Sequence, residues 1–143
     1  MNAIYETDFY GWIQQQAALL KGRQFEAVDL ANIIEEIESM GRSEKRTLQS
    51  RLAVLLQHLL KWKYQSFRKS RSWQLSIEEQ RIRFTEVLNE NPSLKPHLND
   101  ILIDAYRLAV IKAAKETKLD KKSFPAVCPW SWEEINDSEF YPD

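Results

Sequence analysis

Six ionisable side chains point toward the apolar side of the helices that the sequence predicts. At 100° per residue, Arg81 falls inside the stripe formed by Ile77 and Phe84, and Glu116 lies on the core side of its own helix. The remaining members border apolar stripes, and the full polar-core cluster is Glu36, Glu38, Arg51, His58, Arg81 and Glu116. Because a buried arginine keeps its proton and must be paired, we expect the two arginines and His58 to meet the three carboxylates.

The polar-core cluster has two chemical interpretations. It could be an ion-pair network that fixes the register of the helices. It could instead line a ligand or catalytic pocket, where titrating groups with shifted pKa values collect. His58 would then be the base near neutral pH, and Arg51 or Arg81 would hold an anion. Long cationic side chains also reach solvent from core-facing positions. We assign no catalytic residue, and the sequence favours a non-catalytic role over an enzyme.

The chain lacks the residue patterns of metal and cofactor sites. It has two histidines and one cysteine, Cys128, without the Glu-x-x-His pairs of carboxylate-bridged bundles or a His-Glu-x-x-His motif. Glycine-rich phosphate loops and a serine nucleophile motif do not occur either. We therefore expect no metal and no cofactor, and we interpret Cys128 as a packing thiol.

Residues 42–71 form a basic segment, with nine Lys and Arg residues and one acidic residue, Glu44. Aromatic residues interleave its later part, and cations beside stacking platforms are typical of sites for single-stranded nucleic acid or other polyanions. Between positions 61 and 73 the candidate partner-binding residues are Lys61, Trp62, Lys63, Arg68, Lys69, Arg71 and Trp73. The alternative is a solvated basic face that pairs with acids elsewhere in the chain, since residues 123–143 carry five acids and no base.

Composition limits the class of protein. The chain has 143 residues, a formal net charge of −1 and 43% hydrophobic residues, which fits one domain, residues 1–143, with a core of its own. The apolar content is too high for a disordered chain, and no apolar run approaches the roughly 20 residues of a membrane span. The near-neutral charge excludes a uniformly basic nucleic-acid binder. No secretory signal is visible, so we expect a cytoplasmic protein without membrane contact.

Hydrophobic periodicity predicts an all-α bundle of about five helices. The first spans about residues 8–21, and the second runs from Asp29 to Gly41 with an apolar stripe of Leu30, Ile33, Ile34, Ile37 and Met40. The third runs from Ser43 to about residue 65, the fourth starts at a capping box on Ser76, and the fifth spans about residues 93–119. An extended aromatic strap follows, with a second capping box, Ser131 to Glu134, at its last short turn.

Several stretches resemble one known family. They are Asp8-Phe9-Tyr10-Gly11-Trp12, Glu35-Glu36-Ile37-Glu38-Ser39-Met40-Gly41, His58-Leu59-Leu60-Lys61-Trp62, Asn91-Pro92-Ser93-Leu94 and Cys128-Pro129-Trp130. Together they resemble the family catalogued as domain of unknown function twenty-nine, abundant in cyanobacteria. The resemblance implies a small helical protein and no accepted activity.

The function that we predict from the sequence is a non-catalytic helical interaction module. It would bind a protein or a polyanionic partner, nucleic acid included, through the basic aromatic segment 61–73. A homo-oligomer is a second form of partnership, since four apolar residues lie off the core stripes: Ile82, Ile103, Val110 and Ile111. The alternative function is an enzyme or small-anion-binding protein that uses the polar-core cluster.

Overall fold

A computed structural model describes residues 3–143 of the chain. This part contains no strand and six α-helices: α1 (Ala3–Thr7), α2 (Phe9–Lys21), α3 (Leu30–Tyr64), α4 (Arg71–Glu90), α5 (Leu98–Thr117) and α6 (Trp132–Asn136). The predicted all-α bundle is therefore confirmed. The described residues divide into two compact units, 3–42 and 43–143, which are described separately below. A single domain over residues 1–143 stays a prediction.

The predicted break at Gly41 is wrong, because α3 is one helix of 35 residues. No glycine of the described chain has a positive φ, so Gly41 does not adopt the left-handed conformation that ends a helix. Good helix formers, Glu44 and Lys45 among them, follow the glycine closely. A glycine inside a helix costs about 1 kcal/mol relative to alanine, which the rest of a helix this long offsets.

Two further helix starts differ from the predictions. Helix α4 begins at Arg71, because the Ser70 side chain accepts a hydrogen bond from the backbone N–H of Trp73. Ser76, the predicted cap, lies inside the helix. Helix α5 begins at Leu98 rather than near Ser93, since residues Pro92–His97 form a 3-10 turn that contains Pro96. Proline lacks the N–H that an α-helical turn would require.

The core of the second unit lies between α3, α4, α5 and the C-terminal segment. Fully buried leucines of α3 pack there with residues of the other helices: Leu48, Leu52, Leu55, Leu56, Leu59, Ile77, Phe84, Ile101 and Ile135. Buried Ala105, Ala109 and Ala113 form the inner face of α5, and small side chains of this kind allow a close helix neighbour. The aromatic strap contributes Phe124 and Trp130, both buried. The predicted capping box at Ser131 and Glu134 is confirmed, with both of its hydrogen bonds present.

The first unit has very few buried residues. Trp12 packs edge-on against Tyr5, with 4.7 Å between the ring centroids, and its indole N–H donates to Asp29. Gln16 accepts from the backbone N–H of Asp29, the residue before α3. The apolar stripe predicted for the core is largely exposed instead, as the exposures of Leu30 (61%), Ile37 (58%) and Met40 (61%) show. No helix of residues 3–143 is both long and apolar enough to cross a bilayer.

Candidate functional site

The connection between α3 and α4 carries the basic aromatic residues. Helix α3 ends at Tyr64, a 3-10 turn spans Ser66–Arg68, and Ser70 caps α4. The side-chain amide nitrogen of Gln65 donates to the backbone carbonyl of Thr117 at 3.2 Å, which anchors the connection to the end of α5. The sequence predicted a connection here, from Ser66 to Ser72, and the structure shortens it because α4 starts at residue 71.

Five side chains of this connection are exposed to solvent and define the basic junction: Lys63, Phe67, Arg68, Lys69 and Arg71. Phe67 is 80% exposed, the largest exposed fraction among the large hydrophobic residues of the described chain. Within residues 3–143, none of the four cations takes part in an ion pair. The Arg68 guanidinium lies 5.8 Å from the centroid of the Phe67 ring, and the other three cations lie within four positions of Phe67 along the chain.

The two tryptophans of the segment are less accessible than Phe67. The Lys69 ammonium lies 4.9 Å from the ring centroid of Trp62, and that ring also packs on Tyr141 with centroids 4.9 Å apart. The ring of Trp73 lies 4.6 Å from the Lys61 ammonium. Cation–π contacts of this kind hold the cations in place and cover part of each ring. Phe67 is the ring best placed to stack on a ligand.

Lys61 differs from the other predicted partner-binding residues, because its side chain is only 9% exposed. Its ammonium donates to Glu116 on α5 at 2.5 Å. That hydrogen bond is the main reason why the pKa of Glu116 lies below its ordinary value, and the positive charge of Lys61 lowers it further. Lys61 therefore joins α3 to α5, and we no longer count it among the candidate partner-binding residues.

Arg81 was predicted to meet a carboxylate and meets backbone carbonyls instead. Its Nε donates to the carbonyl of Ile135 at 2.9 Å, and one terminal nitrogen donates to Phe140 at 2.7 Å. The guanidinium also lies 5.5 Å from the ring centroid of Tyr141. Burial lowers the pKa of Arg81, although an arginine stays charged at any physiological pH. The other terminal nitrogen of Arg81, Nη1, is buried and has no hydrogen-bond partner within residues 3–143.

His58 lies near the Lys61–Glu116 pair. Its Nδ1 is 2.9 Å from the carbonyl of Val54, so this nitrogen carries the proton and Nε2 bears the lone pair. Burial lowers the pKa of His58, the positive charge of Lys61 lowers it further, and Glu116 opposes the shift. The structure therefore brings together two members of the polar-core cluster, His58 and Glu116, and adds Lys61 to them.

The other members of the polar-core cluster lie apart from this group. Glu36 belongs to the first unit, where it accepts a hydrogen bond from the Tyr5 hydroxyl at 2.5 Å and raises the pKa of Tyr5 to about 12. Glu38 is an exposed residue of the same unit. Arg51 lines a shallow groove of about 300 Å³ with Arg46 and Thr47, and it forms no ion pair within residues 3–143.

An open groove lies elsewhere in the second unit. Its volume is about 860 Å³, and residues of α5 and of the strap line it, among them Ile103, Val110 and Phe124. Neither His58, Arg81 nor Glu116 contributes to its wall. In the described part of the chain, no group of three or more His, Cys, Asp and Glu side chains could hold a metal ion.

Helical projection missed Lys61, because at 100° per residue its position lies opposite Leu52 of the apolar stripe. Ala53 and Gln57, which precede it at intervals of four, are also buried, so α3 is covered on this side too. The carbonyl partners of Arg81 leave no signal in the sequence either, because any residue type supplies a backbone carbonyl.

Of the comparisons with known proteins, one finds a match. The family model described as Domain of unknown function DUF29 matches residues 4–141. No curated protein and no solved structure matches the chain. The match covers nearly the full length of the sequence and agrees with the resemblance seen in its motifs, and the chain belongs to the DUF29 family.

Proposed function

We propose that this protein is a non-catalytic helical interaction module that binds a polyanionic partner through the basic junction, with single-stranded nucleic acid as the partner class. One observation carries the proposal: four exposed cations, none in an ion pair within residues 3–143, lie within four positions of Phe67 along the chain, and Phe67 is 80% exposed. An aromatic side chain this exposed is free to contact a partner. Beside cations, it suits stacking on a base whose phosphates the cations neutralise.

The local structure supports this role in two ways. The junction is anchored by the Gln65 contact to Thr117 and by the Ser70 cap, which hold its backbone in place before a partner binds. The cations are also spread over a turn between two helices, a placement that suits a flexible single strand. A cytoplasmic location is part of the proposal, since a reducing compartment keeps a single cysteine such as Cys128 free.

Fluorescence anisotropy with a labelled single-stranded oligonucleotide tests the proposal. We expect binding at low salt that weakens steeply as salt rises, with a log–log slope near −3 for four phosphate contacts, at about −0.7 per contact. The decisive variant reverses the charge of the four cations: Lys63→Glu, Arg68→Glu, Lys69→Glu and Arg71→Glu. It should lose binding. Absence of binding by the wild-type chain at low salt would refute the proposal.

A matched control separates the junction from net charge. Four exposed cations outside it can be reversed in the same way: Lys45→Glu, Arg46→Glu, Lys112→Glu and Lys115→Glu. This variant has the same net charge as the first and should keep most of the affinity and of the salt slope. Equal losses in both variants would mean nonspecific attraction by overall charge. Binding to an acidic protein but not to the oligonucleotide would point to a protein partner.

His58 favours a second candidate function, a small-anion site or catalytic site around Lys61 and Glu116. The bond from Nδ1 to Val54 leaves the Nε2 lone pair available as a base. Titration with inorganic phosphate, followed by NMR of the His58 ring, tests this function. Ring signals that do not respond to phosphate would eliminate it.

A further inference from the structure

The first unit presents an apolar helix face that its own helices do not cover. Among residues 4–42, only Trp12 and Gln16 are buried. On α3, the exposed fractions are 61% for Leu30, 46% for Ile34 and 58% for Ile37. A contiguous exposed apolar face of this kind is typical of a surface that a partner covers.

The spacing of this face identifies the partner. Leu30, Ile34, Ile37 and Gly41 follow one another at intervals of four, three and four residues, and a helix places all four positions within about 60° of arc. Alternating intervals of three and four are the pattern of a coiled-coil seam. This pattern also reads the same in both directions along the chain, so two copies of the face match when they run antiparallel.

We infer that the protein forms a homodimer in which the 30–41 faces of two α3 helices pack antiparallel. In this register Ile34 lies opposite Ile37 of the second copy, and Leu30 lies opposite Gly41 of the second copy. The interface is isologous, which means that both copies contribute the same residues. Each residue pair therefore occurs twice about one twofold axis, and the assembly contains two chains.

Gly41 supports this register independently of the exposed side chains. A Cβ added to Gly41 would meet no atom of residues 3–143 within 4 Å, so no contact in this part of the chain requires a glycine there. Its backbone is helical, where glycine is less favourable than alanine. A glycine in the seam of a helix pair leaves a notch, and a large side chain such as Leu30 of the second copy fits it.

Charge and area also favour a second copy. In the antiparallel register, Glu38 beside the seam lies opposite Ala31 of the second copy, so no like charges meet. Met40, which is 61% exposed, widens the apolar face of α3, and a large exposed apolar patch is typical of an interaction surface.

Sedimentation equilibrium of the full chain tests the inference. We expect a dimer at about 100 µM that dissociates on dilution. Ile37→Lys places a charge in the seam and should give a monomer with the circular dichroism of a folded chain, because Ile37 is 58% exposed. Ile103→Lys is the matched control, since Ile103 is 63% exposed in the second unit, and it should dimerise normally. A wild-type chain that stays monomeric would overturn the proposal.

We expect Gly41→Gln to stabilise the monomer and to weaken the dimer. Glutamine is a better helix former than glycine, and its Cβ would meet no atom of residues 3–143 within 4 Å, so the melting temperature of dilute monomer should rise. The same side chain fills the notch for Leu30, so we expect dimer dissociation to become at least about tenfold easier, near 1.4 kcal/mol. A variant that dimerises as tightly as the wild type would contradict the proposed register.

Cross-linking checks the antiparallel direction. Leu30→Cys and Gly41→Cys are made separately in a Cys128→Ser background. With a short bismaleimide, a mixture of the two variants should cross-link, whereas either variant alone should not, because identical positions lie about 16 Å apart along the axis. Cross-links within each variant alone would indicate a parallel pair and overturn the proposal.

Discussion

The Lys61 ammonium lies 2.5 Å from a carboxylate oxygen of Glu116 and so joins α3 to α5 across 55 residues of sequence. The two side chains are unequally exposed, at 9% for Lys61 and 50% for Glu116. Lys61 also has the Trp73 ring beside it, with 4.6 Å between the ammonium and the ring centroid. The buried charge therefore depends on one half-exposed carboxylate and one aromatic ring.

Removing the carboxylate should cost more than removing the ammonium. Glu116→Gln leaves Lys61 buried without its counter-ion, so we expect the free energy of unfolding to fall by about 1–2 kcal/mol, below the 3–5 kcal/mol of a fully buried pair because Glu116 is half-exposed. Lys61→Met replaces the charge by an apolar side chain of similar length and should cost less. Urea unfolding of both single variants and the double variant measures the coupling. Additive effects would show that the pair contributes nothing.

The same pair predicts a loss of stability in acid. The pKa of Glu116 is lowered in the folded chain, chiefly by the hydrogen bond from Lys61. The unfolded chain therefore binds this proton more readily, and the stabilisation is present above the ordinary glutamate pKa of about 4.3 and lost below it. Thermal unfolding between pH 7 and 3 should show a smaller acid loss for Glu116→Gln than for the wild type. Parallel curves would contradict the assignment.

The sequence predicted local features better than long-range pairing. The Ser131 capping box is confirmed because a cap depends on residues three positions apart. The partner of Arg81 could not be predicted, since the carbonyls of Ile135 and Phe140 lie in a segment that folds back from more than 50 residues away. Periodicity identified Arg81 as core-facing and gave no information about what would meet it.

The stripe of the first unit shows why an apolar pattern is not the same as a core. Leu30 and Ile37 follow the helical period as clearly as Leu52 and Leu55 do, and periodicity assigns both pairs to a core. Only the second pair is buried, because burial depends on which elements pack against a face. The Gly41 break was wrong for a related reason, since a local propensity of about 1 kcal/mol yields to the rest of a 35-residue helix.

Arg81 should hold the C-terminal segment in place. Arg81→Met leaves the carbonyls of Ile135 and Phe140 without their donors, at about 1–3 kcal/mol for buried groups. We expect residues 136–141 to exchange amide hydrogens faster while the centres of α3 and α5 stay protected. Hydrogen exchange followed by mass spectrometry measures both regions. Arg83→Met is the control, because Arg83 forms only an exposed pair with Glu79. Unchanged exchange of the C-terminal residues would refute this role.

His58 predicts a second pH dependence, nearer neutrality. Burial lowers the pKa of His58 in the folded chain, so the unfolded chain takes up this proton first. Stability should be constant above the ordinary histidine pKa of about 6.5 and should decline as the pH falls below it. His58→Gln should remove the decline between pH 6.5 and 5.5 in thermal unfolding, whereas His97→Gln, at an exposed position, should keep it. A wild-type curve that is flat in this range would contradict the burial of a neutral His58.

Substitution of Phe67 tests the contribution of stacking separately from that of charge in the proposed polyanion site. Since Phe67 is 80% exposed, Phe67→Ala should leave the melting temperature almost unchanged and should weaken oligonucleotide binding by about 1–3 kcal/mol, the range for one stacked base. The salt slope should stay the same, because phosphate contacts set it and no cation is removed. Leu75→Ala, at an exposed position of α4, is the control and should bind like the wild type. Equal affinity of Phe67→Ala and the wild type would mean that the cations act without a stacked base and that the partner need not be a nucleic acid.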